Sequence, residues 1–197
     1  MQAKSPPRMQ VVKREEKEAK LQSFIVEQFE LLAQSGGFSE QRECLVVALS
    51  TASPVVRALS RAALDGALDN VTVRLIVADI SGSDPLSELE GLSSVTVKWA
   101  NNSRLLEAHE QLVLSESCSW TGDCMRREPS KRDAFECYAE DCTETASWGR
   151  TSFDRLWAAS QPLLCSQAAG DSEANGELPI GAQNLKPTSE TIVGTRH

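Results

Sequence analysis

The residues in this chain best spaced for chemistry lie in one short run, His109-Glu-Gln-Leu-Val-Leu-Ser-Glu116. A strand sends side chains i and i+2 to the same face. His109, Gln111 and Val113 would then share one face, with Leu112 and Leu114 anchoring the other. A histidine and an amide two residues apart can converge on one ligand. Glu116 falls at the strand end, where a turn is expected to bring its carboxylate back toward the imidazole. A carboxylate so placed fixes the tautomer of a histidine and raises its basicity, as in a general base or an activated nucleophile. The chain goes on through Ser117-Cys-Ser-Trp-Thr-Gly122-Asp123-Cys-Met125, which adds a glycine and a further acid close to the same site.

An alternating series of elements precedes this run. Residues 1–10 are polar with Pro6 and Pro7 and are expected as a disordered lead. Residues 11–37 form an N-terminal helical unit, with Leu21, Phe24, Ile25, Gln28 and Leu32 at helical spacing and Gly36-Gly37 as its stop. The charges from Lys13 to Lys20 read as a solvated first turn of that helix. Cys44–Ser50 is a β-rich apolar run. Ser53-Pro54 caps and opens a helix through Val56, Leu59, Ala63 and Leu68. Asp69-Asn70 turns the chain into a second strand, Val71–Ala78. Asp84-Pro85 opens a short helix closed by Gly91, Val95–Trp99 is a third strand, and Glu110–Leu114 is the fourth. Pro129 is expected to start a charged helix that includes Phe135 and Tyr138, and another follows from about Thr151 with Phe153, Leu156 and Trp157. Residues 38–162 therefore read as an α/β domain with a mixed or largely parallel sheet flanked by helices. Residues 163–197, rich in Gly, Ser, Asn and Gln, read as a disordered tail.

The layout from about Cys44 to Gly122 resembles the phospholipase D-like superfamily, whose motif is H-x-K-x4-D-x6-G-S at the end of a strand. His109 falls on the motif histidine, Gln111 on the lysine and Glu116 on the aspartate. Gly122 falls on the glycine one residue early, Asp123 stands where the family has serine, and Met125 where asparagine commonly follows. The resemblance implies a histidine that attacks a phosphodiester phosphorus to give a phosphohistidine, with a lysine neutralising the phosphoryl oxygens. It also implies two motifs per site, which single-copy chains supply by dimerising. The other histidine is the terminal His197, so an active form of this chain would be a homodimer.

The departures bear on that chemistry. Gln111 can donate a hydrogen bond but brings no positive charge to a phosphoryl transition state. Asp123 adds a negative charge. Two like charges about 5 Å apart, in an effective dielectric near 20, repel by about 3 kcal/mol. Lys98, Arg104, Arg126 or Arg127 would have to supply the missing cation. Three readings of His109 follow: a structural histidine, a remnant of the family site without catalysis, or a nucleophile oriented by Glu116. The first function expected is a degenerate, non-catalytic module acting by protein binding or assembly. The alternative is a homodimeric phosphodiesterase or nuclease.

The net charge is −8, yet residues 1–20 carry six bases against three acids. The central part is therefore more acidic than the whole, which disfavours a nucleic-acid partner. The spacing C-x5-C-x12-C-x4-C from Cys118 to Cys142 lacks the tight C-x2-C knuckle of structural zinc sites, so the six cysteines read as thiols. No cofactor is expected. No run is long and apolar enough to span a membrane, and the N-terminus lacks an apolar signal core, which makes the cytoplasm the expected location.

Overall fold

Three of the apolar runs form the parallel centre of a sheet. Strands β2 (Arg42–Ala48), β3 (Val71–Val77) and β4 (Val95–Trp99) lie side by side, with Val46 opposite Leu75 and Leu75 opposite Val97. The computed structural model describes residues 6–34, 42–80, 89, 91–101, 109–122 and 133–165. Five antiparallel strands extend the centre: β1 (Arg8–Lys13), β5 (Gln111–Val113), β6 (Ser119–Thr121), β7 (Asp133–Ala139) and β8 (Gln161–Cys165). The mixed eight-stranded sheet has the order β1-β7-β6-β5-β2-β3-β4-β8.

Helices α1 (Lys17–Gln34) and α2 (Pro54–Leu64) cover one face, and α3 (Thr143–Ala159) lies on the other. Leu21, Phe24 and Ile25 of α1 and Val55, Val56 and Leu59 of α2 pack on Cys44, Val46, Val73 and Leu75. Ala146 and Phe153 of α3 meet Leu45, Val47, Ile76 and Val113 from the opposite side. Because both faces of the parallel centre are covered, β2 buries every residue from Cys44 to Ala48, as the near-continuous apolar runs of such strands require. Glu18 ties α1 to α2 by pairing with Arg57 and Arg61, each at 2.8 Å.

Several elements differ from expectation. Residues 8–13 are neither lead nor helix start but the edge strand β1, paired antiparallel to β7 from Arg8↔Tyr138 to Lys13↔Asp133. The α-helix starts only at Lys17, after a single 3-10 turn. Phe135 and Tyr138 lie in strand β7 and not in a charged helix. Alternation there buries Glu136 and Tyr138 and leaves Phe135 and Cys137 half-buried. Helix α3 begins at Thr143, well before Thr151, and α2 ends at Leu64. Residues 163–165, expected in the tail, belong to β8 against β4. Ser53 does sit at the N-cap of α2 with Pro54 next, but its hydroxyl accepts from the Ser50 N–H at 3.0 Å and braces the preceding turn. Asp69-Asn70 is the expected turn, with Asn70 in the left-handed region at φ 63°. The Gly36-Gly37 stop, the Asp84-Pro85 helix and residues 166–197 lie outside the described residues.

Candidate functional site

Hairpin β5–β6 carries the His109 run. Gln111 faces Thr121, Leu112 faces Trp120 and Val113 faces Ser119. The Gly122 N–H donates to the Glu110 carbonyl at 2.9 Å, which prolongs the ladder beyond the last paired residues. His109 is half-buried and lies where β5 begins, beside the carboxyl ends of the parallel strands. Open α/β sheets bind their ligands in the crevice at that end.

At the opposite end of β5 the chain turns through Ser115–Cys118. The Ser115 hydroxyl accepts from the Ser117 and Cys118 N–H groups at 3.3 and 3.0 Å. Glu116 is exposed in this turn. The extended run from His109 to Leu114 spans about 16 Å, so the turn carries Glu116 away from the imidazole and not back to it. Gln111 does share the α3-facing side of the sheet with Val113, and it lines a cleft against α3 with Thr121 and Trp148. Asp123, Met125, Arg104, Arg126 and Arg127 lie outside the described residues. Lys98 is committed elsewhere, donating to the Trp157 carbonyl at 2.9 Å with its ammonium 4.6 Å from the Trp157 ring.

A buried ionic cluster lies behind the hairpin. Glu110 points to the α1 face with Leu112 and Leu114, where Lys17 Nζ meets it at 3.3 Å and Glu136 at 3.4 Å. Side-chain exposures of 13% for Lys17, 8% for Glu110 and 0% for Glu136 place all three largely out of water. The Leu49 N–H, just after β2, donates to the second Glu110 oxygen at 3.3 Å. Lys17 also stands 5.1 Å from the centroid of the buried Trp120 ring, a cation–π distance. Burial raises the Glu136 carboxyl above its ordinary range and Glu110 adds to the rise, while Lys17 and Trp120 oppose it. Trp120 Nε1, Tyr138 Oη and both Glu136 oxygens are buried, with Lys17 the cation that meets the Glu136 carboxyl. Burial likewise raises the Tyr138 hydroxyl.

The sequence did contain a signal for this cluster. Glu110 alternates with His109 and Gln111 in the same strand, so a strand reading that put those two on one face put Glu110 inward with Leu112. Lys17, embedded in a charge run, had none.

The cysteines are thiols where they are described. Cys44 and Cys118 are buried, which raises Cys44 and pushes Cys118 up to about 12. Cys142 at the start of α3 is lowered, chiefly by its 3.1 Å contact with the Thr145 hydroxyl. Among the described residues no group of three or more His, Cys, Asp or Glu could hold a metal ion. No helix among them is long and apolar enough to cross a membrane.

No protein-family model and no curated protein matches the chain. Solved structures do. Nuc from Salmonella typhimurium, a phospholipase D family member, superposes with a TM-score of 0.54 at 14% identity, over 80% of this chain and 98% of that one. TrmBL2, an archaeal chromatin protein whose structure shows a novel mode of DNA binding, gives 0.52 at 11% identity over 79% of this chain. The match spans 54% of TrmBL2. The mixed eight-stranded sheet with helices on both faces is a phospholipase D-like fold.

Proposed function

We propose that this chain is a phospholipase D-like module that performs no phosphodiester chemistry and acts by protein binding or assembly in the cytoplasm. The observation that carries this reading is the charge around the hairpin. Gln111 stands where the resemblance puts the lysine, and among the described residues the cation beside the hairpin, Lys17, is held between two buried carboxylates. A transferring phosphoryl group needs positive charge that is free to meet it in the transition state. Lys17 could supply it only by leaving Glu110 and Glu136 unpaired in a dry site.

The face of edge strand β1 turned away from α1 is the contact surface in this reading. Met9 and Val11 of β1 are 50% and 54% exposed there, on an edge strand flanked by Arg8 and Lys13. A second copy or another protein would cover these apolar side chains. The acidity of the chain disfavours nucleic acid as the partner.

A second reading keeps His109 as the nucleophile of a homodimeric phosphodiesterase. Its support is the place of the imidazole, half-buried beside the carboxyl ends of the parallel strands. Hydrolysis of bis(p-nitrophenyl) phosphate by the purified chain, compared with His109→Ala, separates the two. Equal background turnover is expected. Turnover that the substitution removes would establish the phosphodiesterase instead.

A further inference from the structure

The cleft between α3 and the β5–β6 hairpin has the chemistry of a binding site. Its volume is about 150 Å³, and its walls include Gln111, Ser119, Thr121, Thr145, Trp148 and Ser152. Gly149 lets α3 approach the hairpin closely, since a Cβ there would stand 2.9 Å from the Val113 methyl. Ser119 is 3% exposed, and its hydroxyl has no hydrogen-bond partner among the described residues. Strand alternation turns Ser119, like Val113 opposite it, toward α3 and the cleft. At the rim Trp148 is 71% exposed, the most exposed of the large apolar side chains described.

These features narrow the ligand. A cavity of about 150 Å³ holds a single six-membered ring. A purely apolar ring would leave the buried Ser119 hydroxyl unmet, which disfavours it. Among the described residues an anion finds no cation on the walls, and it meets a chain of net charge −8. What remains is an uncharged ring carrying its own hydroxyls, with one face apolar enough to lie on an indole.

We propose that this cleft binds one neutral sugar residue, stacked on Trp148 and hydrogen-bonded by Ser119 and Gln111. The inference extends the binding reading above and holds whether or not His109 reacts. The test titrates the full chain with N-acetylglucosamine and with methyl β-glucoside, and with glucose 6-phosphate as the charged counterpart. Calorimetry gives the affinity, and the Trp148 indole N–H resonance gives the place.

At least one neutral sugar should bind saturably near 1 mM or about tenfold either side and shift that resonance, with the phosphate ester about tenfold weaker. Trp148→Ala, at an exposed position that leaves the core intact, should abolish binding, and Ser119→Ala should weaken it about threefold or more. The proposal is overturned by no saturable binding of either sugar at tens of millimolar, by equal or tighter binding of the phosphate ester, or by Trp148→Ala binding like the parent. Phosphodiester hydrolysis dependent on His109, by contrast, would remove the non-catalytic reading and leave this one standing.

Discussion

The two halves of the sheet are stabilised by different means. The parallel half, β2–β3–β4, is sandwiched between helices and is apolar on both sides: Val46 and Leu75 face α1 and α2, while Leu45, Val47 and Ile76 face α3. In the antiparallel half, β5–β6–β7–β1, the α1 side combines Leu112, Trp120 and Tyr138 with three buried ionisable groups. Its other side leaves Met9 and Val11 largely exposed. The parallel half is a scaffold whose energy is transfer and packing. The antiparallel half exchanges some of that for charges that fix how hairpin, edge and helix meet. Lys17 joins α1 to β5 and β7 across β6, so the cluster sets the geometry of the hairpin that carries His109.

The largest contrast should come from cutting each half at its own fastening. Lys17→Met leaves Glu110 and Glu136 buried without a counter-charge and should cost about 3–5 kcal/mol in urea denaturation. Adding Glu110→Gln and Glu136→Gln to it should return most of that loss, because no buried charge is then left unpaired. Leu75→Ala, 1% exposed in the parallel half, should cost about 2–5 kcal/mol, with no comparable rescue by removing carboxylates. A loss below about 1 kcal/mol for Lys17→Met would mean that the cluster is hydrated, and the distinction between the halves would fall.

The same contrast explains what could be read in the sequence. Strands β2, β3 and β4 are continuous apolar runs bounded by turn residues, and their place and parallel order were legible. The His109 strand, expected over Glu110–Leu114, was legible too through its alternation and is β5 (Gln111–Val113). Strand β6 has three residues and β8 five, too few to show a period of two against their surroundings. In β7 the sequence Asp133-Ala-Phe-Glu-Cys-Tyr-Ala139 places an acid at a buried position, so its charge suggested a solvated helix where alternation in fact turns Glu136 inward. Lys17 lies in a charge run for which solvent is the expected place. Charge normally marks the surface, and the antiparallel half departs from that rule. The supposed His109–Glu116 pairing failed for another reason: spacing in sequence fixes separation along a strand, and an extended strand keeps seven residues far apart.

A smaller effect should come from Gly122, at the end of the hairpin. A Cβ there would lie 2.5 and 2.6 Å from the Trp120 ring and 3.2 Å from Lys17 Nζ. Trp120 is 1% exposed and packed on all sides, so its ring cannot swing aside as a flexible chain end would. Gly122→Ala should therefore destabilise by about 1–3 kcal/mol through overpacking. It should also disturb the Lys17 cluster, so combining it with Lys17→Met should cost less than the two losses added together. Gly122 thus has a packing role that does not depend on phosphate chemistry. Strict additivity in that double-mutant cycle would show that the glycine and the cluster are independent.

The smallest effect is the one most specific to the antiparallel half. Burial raises the Glu136 carboxyl in the folded chain, so the folded state keeps its proton to higher pH than the unfolded state does. The stability this contributes is complete below the ordinary carboxylate value and declines as pH rises through the raised one, because the unfolded chain then binds fewer protons. Lys17 on α1 and Glu110 just before β5 face the same carboxyl and set how far the decline extends: Lys17 limits the rise and Glu110 enlarges it. Glu136→Gln has no proton to lose there. It should flatten this part of the stability–pH curve and, above the raised value, equal or exceed the parent by about 1 kcal/mol. The same measurement on Leu75→Ala should reproduce the parent's slope at lower stability, since that substitution touches only the scaffold half. A Glu136→Gln curve parallel to the parent's would mean that the carboxyl is ionised at every pH tested, with Lys17 outweighing its burial.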